Sequence, residues 1–395
     1  MLARALVPSV AFVASLTAQT THLVGPGGLP QIRDALAIAA PGDVIHVQAG
    51  TYAHFTANVG VTIRALVPGT VIVAYDAAFE SPACVADPFC AVNLGPTRFA
   101  APSGQAIHVV GIEFVPTPAP SRHRVLIDGG AVTFDDCAIR CLDNFTALVI
   151  ADAQVHLQGC TVASQGAAAL QPVNNHGLWA TDSSLTLVDT SIGGGASFLG
   201  GFGGSAVNLV NCTLKASGCL FAGGDPMGID GSAVRPDPAG RVWISASTLT
   251  AGSACAILGT PSVGQLARTT VTANGSGCGT FTTASLVAVE RPNPIQNGAA
   301  FDVLVHTEPN TLVAIHASPR LAHVEIPGLF AQPIALDLTS FFLAGLFVSD
   351  GNGDVTASWN MPAGQFVDET IWLEATAWLP GQPVLVGPVV GGVIR

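Results

Sequence analysis

Charge is what this 395-residue chain has least of. Asp, Glu, Lys and Arg together make up 10% of it, against ~25% in an average protein. Lys215 is the only lysine, and 26 acidic residues outnumber 14 basic ones, for a net charge of −12. Such a chain carries no basic stripe for a phosphate backbone or an anionic membrane, so nucleic acid and acidic lipid are excluded as partners. Long apolar runs are missing too. After the N-terminus no stretch reaches the ~18 consecutive apolar residues of a membrane-spanning helix, so no transmembrane segment is expected. None of the nine cysteines stands in CxxC spacing, which leaves zinc and dithiol-redox motifs without support.

The N-terminal run itself reads as a secretory signal over residues 1–18. Arg4 supplies its charge, residues 5–16 its apolar core, and Thr17 and Ala18 its small-residue cleavage region. A secreted or cell-surface location follows as the expectation. The near-absence of lysine, with abundant Ala, Gly, Val and Pro, points to a high-GC bacterial genome.

What the chain has in quantity is repetition. A ten-residue pattern occurs seven times: AIHVVGIEFV, AVTFDDCAIR, QVHLQGCTVA, SLTLVDTSIG, AVNLVNCTLK, RVWISASTLT and VGQLARTTVT. The copies start at Ala106, Ala131, Gln154, Ser184, Ala206, Arg241 and Val263, at intervals of 25, 23, 30, 22, 35 and 22 residues. Positions two, four, seven and nine are apolar or small, which is strand alternation with a phase slip at five and six. Position six reads Gly111, Asp136, Gly159, Asp189, Asn211, Ala246 and Arg268. Gly, Asn and Asp tolerate positive φ best, so a corner is expected there, with the last two copies departing from the preference. Two short strands and a corner per rung describe a parallel β-helix with rungs ~4.8 Å apart. The intervals of 30 and 35 read as rungs carrying insertions.

With these copies the chain resembles the right-handed parallel β-helix, or pectin-lyase-like, superfamily over roughly residues 21–285. Residues 29–52, LPQIRDALAIAAPGDVIHVQAGTY, are similar to the opening of that superfamily. It is a short helix, with Ile32, Leu36 and Ala39 on its apolar face, followed by Gly-Asp and a first strand. The resemblance implies a solenoid whose N-terminal end is capped by that helix. It implies less about activity, because the superfamily hosts lyases, hydrolases, epimerases, esterases and non-enzymes.

The pattern fades after Thr283, and Arg291, Pro292, Asn293 and Pro294 look like a boundary. Beyond it, strand-like runs at 301–306, 312–316, 334–338, 355–359 and 371–378 are separated by turn residues, as in a small antiparallel β-sandwich. The expected organisation is a signal peptide over 1–18, an all-β solenoid over 19–288 and a C-terminal sandwich over 289–395. The last part resembles domains that secreted bacterial proteins carry for surface retention or export.

Cys137, Cys160 and Cys212 occupy position seven and face inward, and Cys219, Cys255 and Cys278 read as a second inward ladder. Free buried thiols are favoured over bridges between adjacent rungs, because disulfide dihedrals fit poorly between in-register strands. Cys84 and Cys90 stand outside the repeats, and a loop disulfide is expected between them.

Several residue sets carry chemistry. Asp135 and Asp136 offer the two carboxylates of glycoside hydrolysis and resemble the adjacent acids of polygalacturonases. However, the companion NTD and RIK elements are absent, and Asp136 sits at the corner position. Arg140 and Lys215 share position ten and read as outward groups three rungs apart, suited to two sugar subsites. Arg122, His123 and Arg124 form a basic cluster ahead of the second copy. The insertions are the stronger candidates, since loops on a rigid scaffold carry function. One brings Asn174, Asn175, His176 and Trp179; the other brings Asp225, Asp230, Arg235 and Asp237. There His176 reads as a general base, Trp179 as a sugar platform and Arg235 as a carboxylate clamp. Asp350, Gly351, Asn352, Gly353 and Asp354 look like half a calcium loop, but Val355 and Met361 stand where an EF-hand needs Gly and Glu. No metal site or cofactor is expected, and calcium has no motif behind it.

The leading expectation is a secreted, monomeric β-helix protein that engages extracellular polysaccharide or a cell-surface glycan. The enzyme alternative is a polysaccharide lyase or related carbohydrate-active enzyme. The third is a surface-attached spacer.

Overall fold

The computed structural model describes residues 19–395 except 75, 77–96, 116–124, 142–145, 165–174, 196–203, 225–230, 253–254, 273–277, 280, 291–294 and 365. The expected signal segment, Cys84 and Cys90, the 122–124 cluster, Asn174, Asp225, Asp230 and the 291–294 boundary lie outside the described residues.

Strands this short, apolar on one side, are stable only where neighbours satisfy both edges. They obtain those neighbours by stacking. A long sheet runs from Thr21–Val24 through Val44–Val47, Thr62–Ala65, Ala106–Val110, Val125–Asp135, Leu148–Gln158, Ser184–Val188, Thr213–Ser217, Arg241–Ser245 and Val263–Ala267 to Thr282–Thr283. All of its pairings are parallel. A second sheet stacks nine parallel strands, including Ile112–Val115, Ala138–Cys141, Thr161–Ser164, Ser191–Gly193, Leu220–Ala222 and Thr248–Thr250. The fold is a parallel β-helix.

Each central rung has three strands, not the two that the repeat implied. The third sheet contains Thr97–Phe99, Leu178–Thr181, Val207–Val210 and Val234–Pro236. It also takes the first halves of Val125–Asp135 and Leu148–Gln158. The fifth copy is also out of register. Ser184 pairs with Thr213, not Ala206, and Thr213 with Arg241. The true fifth copy is therefore TLKASGCLFA, and the intervals become 25, 23, 30, 29, 28 and 22 residues. The supposed 35-residue insertion is instead a third strand shared by successive rungs.

The confusion has a chemical cause. Two corners of each rung use the same device. Between the long and second sheets, Gly111, Asp136, Gly159, Asp189, Gly218, Ala246 and Arg268 all have φ between 45° and 70°. Between the third and long sheets, Asp152, Asp182 and Asn211 have φ of 49°, 49° and 52°. After most of these corners, though not after Gly111 or Asp152, comes a small thiol or hydroxyl that donates to the carbonyl two residues back. Cys160 Sγ reaches Gln158 O at 3.3 Å, Thr190 Oγ1 reaches Val188 O at 2.9 Å and Cys219 Sγ reaches Ser217 O at 3.2 Å. At the other corner Ser183 Oγ reaches Thr181 O at 2.6 Å and Cys212 Sγ reaches Val210 O at 3.1 Å. Asn211-Cys212 is a corner of this kind, but of the other series.

The cysteines divide accordingly. Cys137, Cys160 and Cys219 belong to one column with Thr190, Ser247 and Thr269; Cys212 belongs to the other corner. All four, with Cys141, are free and buried. Cys255 and Cys278 do not continue a thiol ladder as expected: they form a disulfide, with Cα atoms 5.4 Å apart. Burial pushes the Cys219 thiol up to about 12 and Cys212 to about 11, which keeps both inert.

Inside the solenoid, Phe55, Phe99, Phe114 and Phe134 stack edge to face with ring centroids 5.3–6.1 Å apart, each pair contributing roughly 0.5–1.5 kcal/mol beyond area burial. The helix Ile32–Leu36 is five residues long and buries Ile32, Ala35 and Leu36.

Toward the C-terminus the pairing becomes antiparallel. Ala288–Val289, Ala300–His306 and Asp354–Asn360 form one sheet; Phe342–Val348, Leu312–Ser318, Thr370–Trp378 and Leu385–Val393 form another. Val303, Val305 and Val355 of the first pack with Val313, Ile315 and Leu373 of the second. This unit lies along the outward side of the long sheet. Trp372 is buried against His108 and His156, at ring distances of 6.0 and 4.9 Å. Gln158 Nε2 donates to Gly391 O at 2.5 Å, and Gly391 N–H donates to Gln158 Oε1 at 3.0 Å. Arg64 pairs with Asp368 at 2.5 Å, and Arg268 donates to Thr307 O at 2.7 Å. The largest flat face of the solenoid is therefore closed.

Candidate functional site

Among the described residues, the third sheet keeps an outward face on which Val210 and Arg235 are exposed. Its register places Arg98, Leu126, Val149, Trp179, Asn208 and Arg235 in one column across successive rungs. After Leu126 and Val149 the last three turn the row polar and aromatic, while Arg98 at its far end pairs with Asp128. Beside them lies a cleft of about 390 Å³ lined by His176, Asn208, Val210, Arg235 and Asp237. Arg235 is exposed and without an ion-pair partner among the described residues. Two buried polar atoms here, Trp179 Nε1 and Asp237 Oδ1, have no hydrogen-bond partner among the described residues. Each costs ~1–3 kcal/mol in that state.

His176 forms the floor. It is 3% exposed, and its ring meets Trp179 edge to face at 6.3 Å. The Ser205 backbone N–H donates to its Nδ1 at 3.0 Å. The neutral ring then carries hydrogen on Nε2, 3.3 Å from Asn208 Nδ2; two donors cannot bond, so this hydrogen bond forms with the Asn208 amide turned to present its oxygen. Burial, and after it the positive charge of Arg235, pushes His176 down to about 4. Near neutrality it is an uncharged ring with both nitrogens engaged. That arrangement orients Asn208 and does not resemble a free general base.

The insertion residues thus divide into those that meet and those that do not. His176, Arg235 and Asp237 line the cleft, and Trp179 stands beside it, paired with Asn208 and against the His176 ring. Asn175 is buried at 2% exposure and does not line it. Arg140 and Lys215 are not paired outward groups. Arg140 belongs to the second sheet and pairs with Glu113 at 3.2 Å. Lys215 is at position three of the re-registered copy, in the long sheet, and is buried. Its Nζ donates to Pro333 O, Glu374 Oε1 and Gly387 O at 2.6, 2.9 and 3.1 Å. A two-subsite role for these cations is excluded by that burial. Asp135 and Asp136 are both held by Arg395, at 3.2 and 3.0 Å, and Asp136 is a corner with φ 55°. Asp350 accepts the N–H groups of Asn352 and Asp354 at 2.8 and 2.9 Å, closing a turn of its own.

Asn208 is the cleft residue that the sequence reading missed. A signal for it was present. Gln158-Gly159-Cys160 and Ser217-Gly218-Cys219 match, and aligning them moves the fifth copy to Thr213 and exposes Asn208 as part of a separate strand.

No protein-family model and no curated protein sequence matches the chain. Solved structures with detectable likeness include a pectin methylesterase in complex with a hexasaccharide. It is 11% identical over 61% of this chain and 70% of that one, with a TM-score of 0.34. A mutant pectin methylesterase with another hexasaccharide is 12% identical, covering 67% and 81%, at 0.31. A PL6 family alginate lyase is 13% identical, covering 70% and 40%, at 0.28. At these values the likeness carries no argument about activity, and the β-helix stands on the strand pairing itself.

Proposed function

We propose that this is an extracellular β-helix protein that binds polysaccharide in the third-sheet cleft. One observation carries the reading: Trp179, Asn208 and Arg235 stand in register on three adjacent rungs beside a cleft, with Arg235 in no ion pair among the described residues. Trp179 offers a ring for sugar stacking, Asn208 a hydrogen-bonding amide and Arg235 a planar cation for a carboxylate. Rungs ~4.8 Å apart make this a linear array, suited to a chain and not to a single small molecule. The N-terminal signal-like segment and the Cys255–Cys278 disulfide favour an oxidising, extracellular setting. A lyase reading has less support, because both His176 nitrogens are occupied.

Retention on immobilised polysaccharides tests this. Uronate-bearing polymers are expected to retain the protein, and Arg235→Ala to release it. Retention by no polysaccharide of any class would leave the spacer reading in its place.

A further inference from the structure

A second constellation lies at the seam, independent of the cleft. Ser184 opens the strand Ser184–Val188 and stands in the outward column Gln154, Ser184, Thr213 and Arg241 of the long sheet. The strand Leu321–Val324 brings His323 beside it, with Glu325 following. Ser184 Oγ is 2.9 Å from His323 Nδ1, and His323 Nε2 is 3.2 Å from Glu325 Oε1. Arg241 pairs with Glu325 and also donates to Thr213 Oγ1 at 3.0 Å. We propose that Ser184, His323 and Glu325 form a hydrolytic site for carboxylic esters, with Ser184 as nucleophile, His323 as base and Glu325 as the positioning carboxylate.

The protonation states follow from the contacts. The Arg241 hydrogen bond holds the Glu325 carboxyl down to about 2, so it is ionised and can only accept. It therefore fixes the His323 hydrogen on Nε2. Nδ1 is left bare, and the Ser184 hydroxyl donates to it. This is the hydroxyl–imidazole–carboxylate relay of nucleophilic hydrolases, recognised by its roles and geometry and not by sequence order. The side chains remain reachable: His323 is 30% and Glu325 39% exposed. Donors for an oxyanion flank the nucleophile one rung away on each side, ~4.8 Å along the axis. Gln154 uses one Nε2 hydrogen on Ala322 O and keeps the other. Thr213 Oγ1 accepts from Arg241, so its own hydrogen is free to donate.

In the reaction Ser184 Oγ bonds to the ester carbonyl carbon while its proton passes to His323 Nδ1. The tetrahedral oxyanion collapses, the carbon–alkoxy bond breaks, and His323 returns the proton to the leaving alcohol. Water then attacks acyl-Ser184, again losing its proton to His323. The carbon–Oγ bond breaks, Ser184 recovers the proton, and a carboxylic acid leaves. No oxidant or metal is needed.

The experiment is covalent labelling of the intact protein with a fluorophosphonate, mapped by mass spectrometry, alongside hydrolysis of p-nitrophenyl acetate. Labelling at Ser184 is expected, and Ser184→Ala should lower hydrolysis about a hundredfold or more. Glu325→Gln should lower kcat with KM unchanged, and Glu325→Asp should recover part of it. An unlabelled Ser184, or hydrolysis unchanged in Ser184→Ala, would overturn the proposal and leave the trio as contacts that merely dock Leu321–Val324 on the solenoid.

Discussion

Lys215, the only lysine of the chain, is closed off by Glu374, 159 residues further on, with Nζ 2.9 Å from Oε1. Glu374 is also bound by the Ala335 N–H at 3.0 Å, and both partners are buried. The pair joins the solenoid to the antiparallel sheets.

Breaking such a pair from one side leaves a buried charge. Glu374→Gln is therefore expected to destabilise by ~3–5 kcal/mol. Replacing both partners, Lys215→Met with Glu374→Met, should recover most of the loss. Urea unfolding of the three variants measures this; equal losses in the single and double variants would contradict it.

Acid should loosen both the seam, through His108, and the cleft, through His176. His108 and His176 are each held down to about 4, by burial in both cases and for His176 also by Arg235. Unfolded imidazoles titrate near 6.5. Between those values the unfolded chain binds more protons, so stability falls as pH falls from about 6.5 to about 4, by on the order of 3 kcal/mol for each residue. Denaturation midpoints across that window should drop, and His108→Gln should flatten the slope.

The corners predict a gain. Ala246 has φ 46° and no side chain able to compensate for a left-handed backbone. Ala246→Gly should stabilise by about 0.5–1 kcal/mol, relief of strain outweighing the added freedom of the unfolded chain. A loss of stability in calorimetry would show that the corner is unstrained.

Thiol chemistry separates the cysteines. Cys137, Cys141, Cys160, Cys212 and Cys219 are buried and free and should react with Ellman's reagent only on unfolding. Reducing Cys255–Cys278 should cost ~2–4 kcal/mol. Rapid labelling of the folded protein at Cys160 or Cys219 would contradict the ladder.

Much of this scaffold was legible in the sequence because alternation and corner chemistry are local. Every position-six residue was a left-handed corner, including Ala246 and Arg268, where residue preference gave no help. Register failed at Asn211-Cys212 because two corner series use the same residue types with the same hydrogen bond. The seam was illegible for another reason. Lys215, Trp372 and Arg395 meet residues more than a hundred positions away, and nothing local marks an outward strand position as covered. The cleft was half legible: His176, Trp179 and Arg235 stood out as loop chemistry, whereas Asn208 was hidden by the misregistered copy.

The central claim is that polysaccharide binds on the third sheet, and direct titration tests it. The polysaccharide that retains the protein would be titrated into wild type, Trp179→Ala, Arg235→Ala and Arg140→Ala, the last on the second sheet. A loss of at least about tenfold in affinity, ~1.4 kcal/mol, is predicted for the first two variants and none for Arg140→Ala. Unchanged affinity in Trp179→Ala and Arg235→Ala would contradict the account.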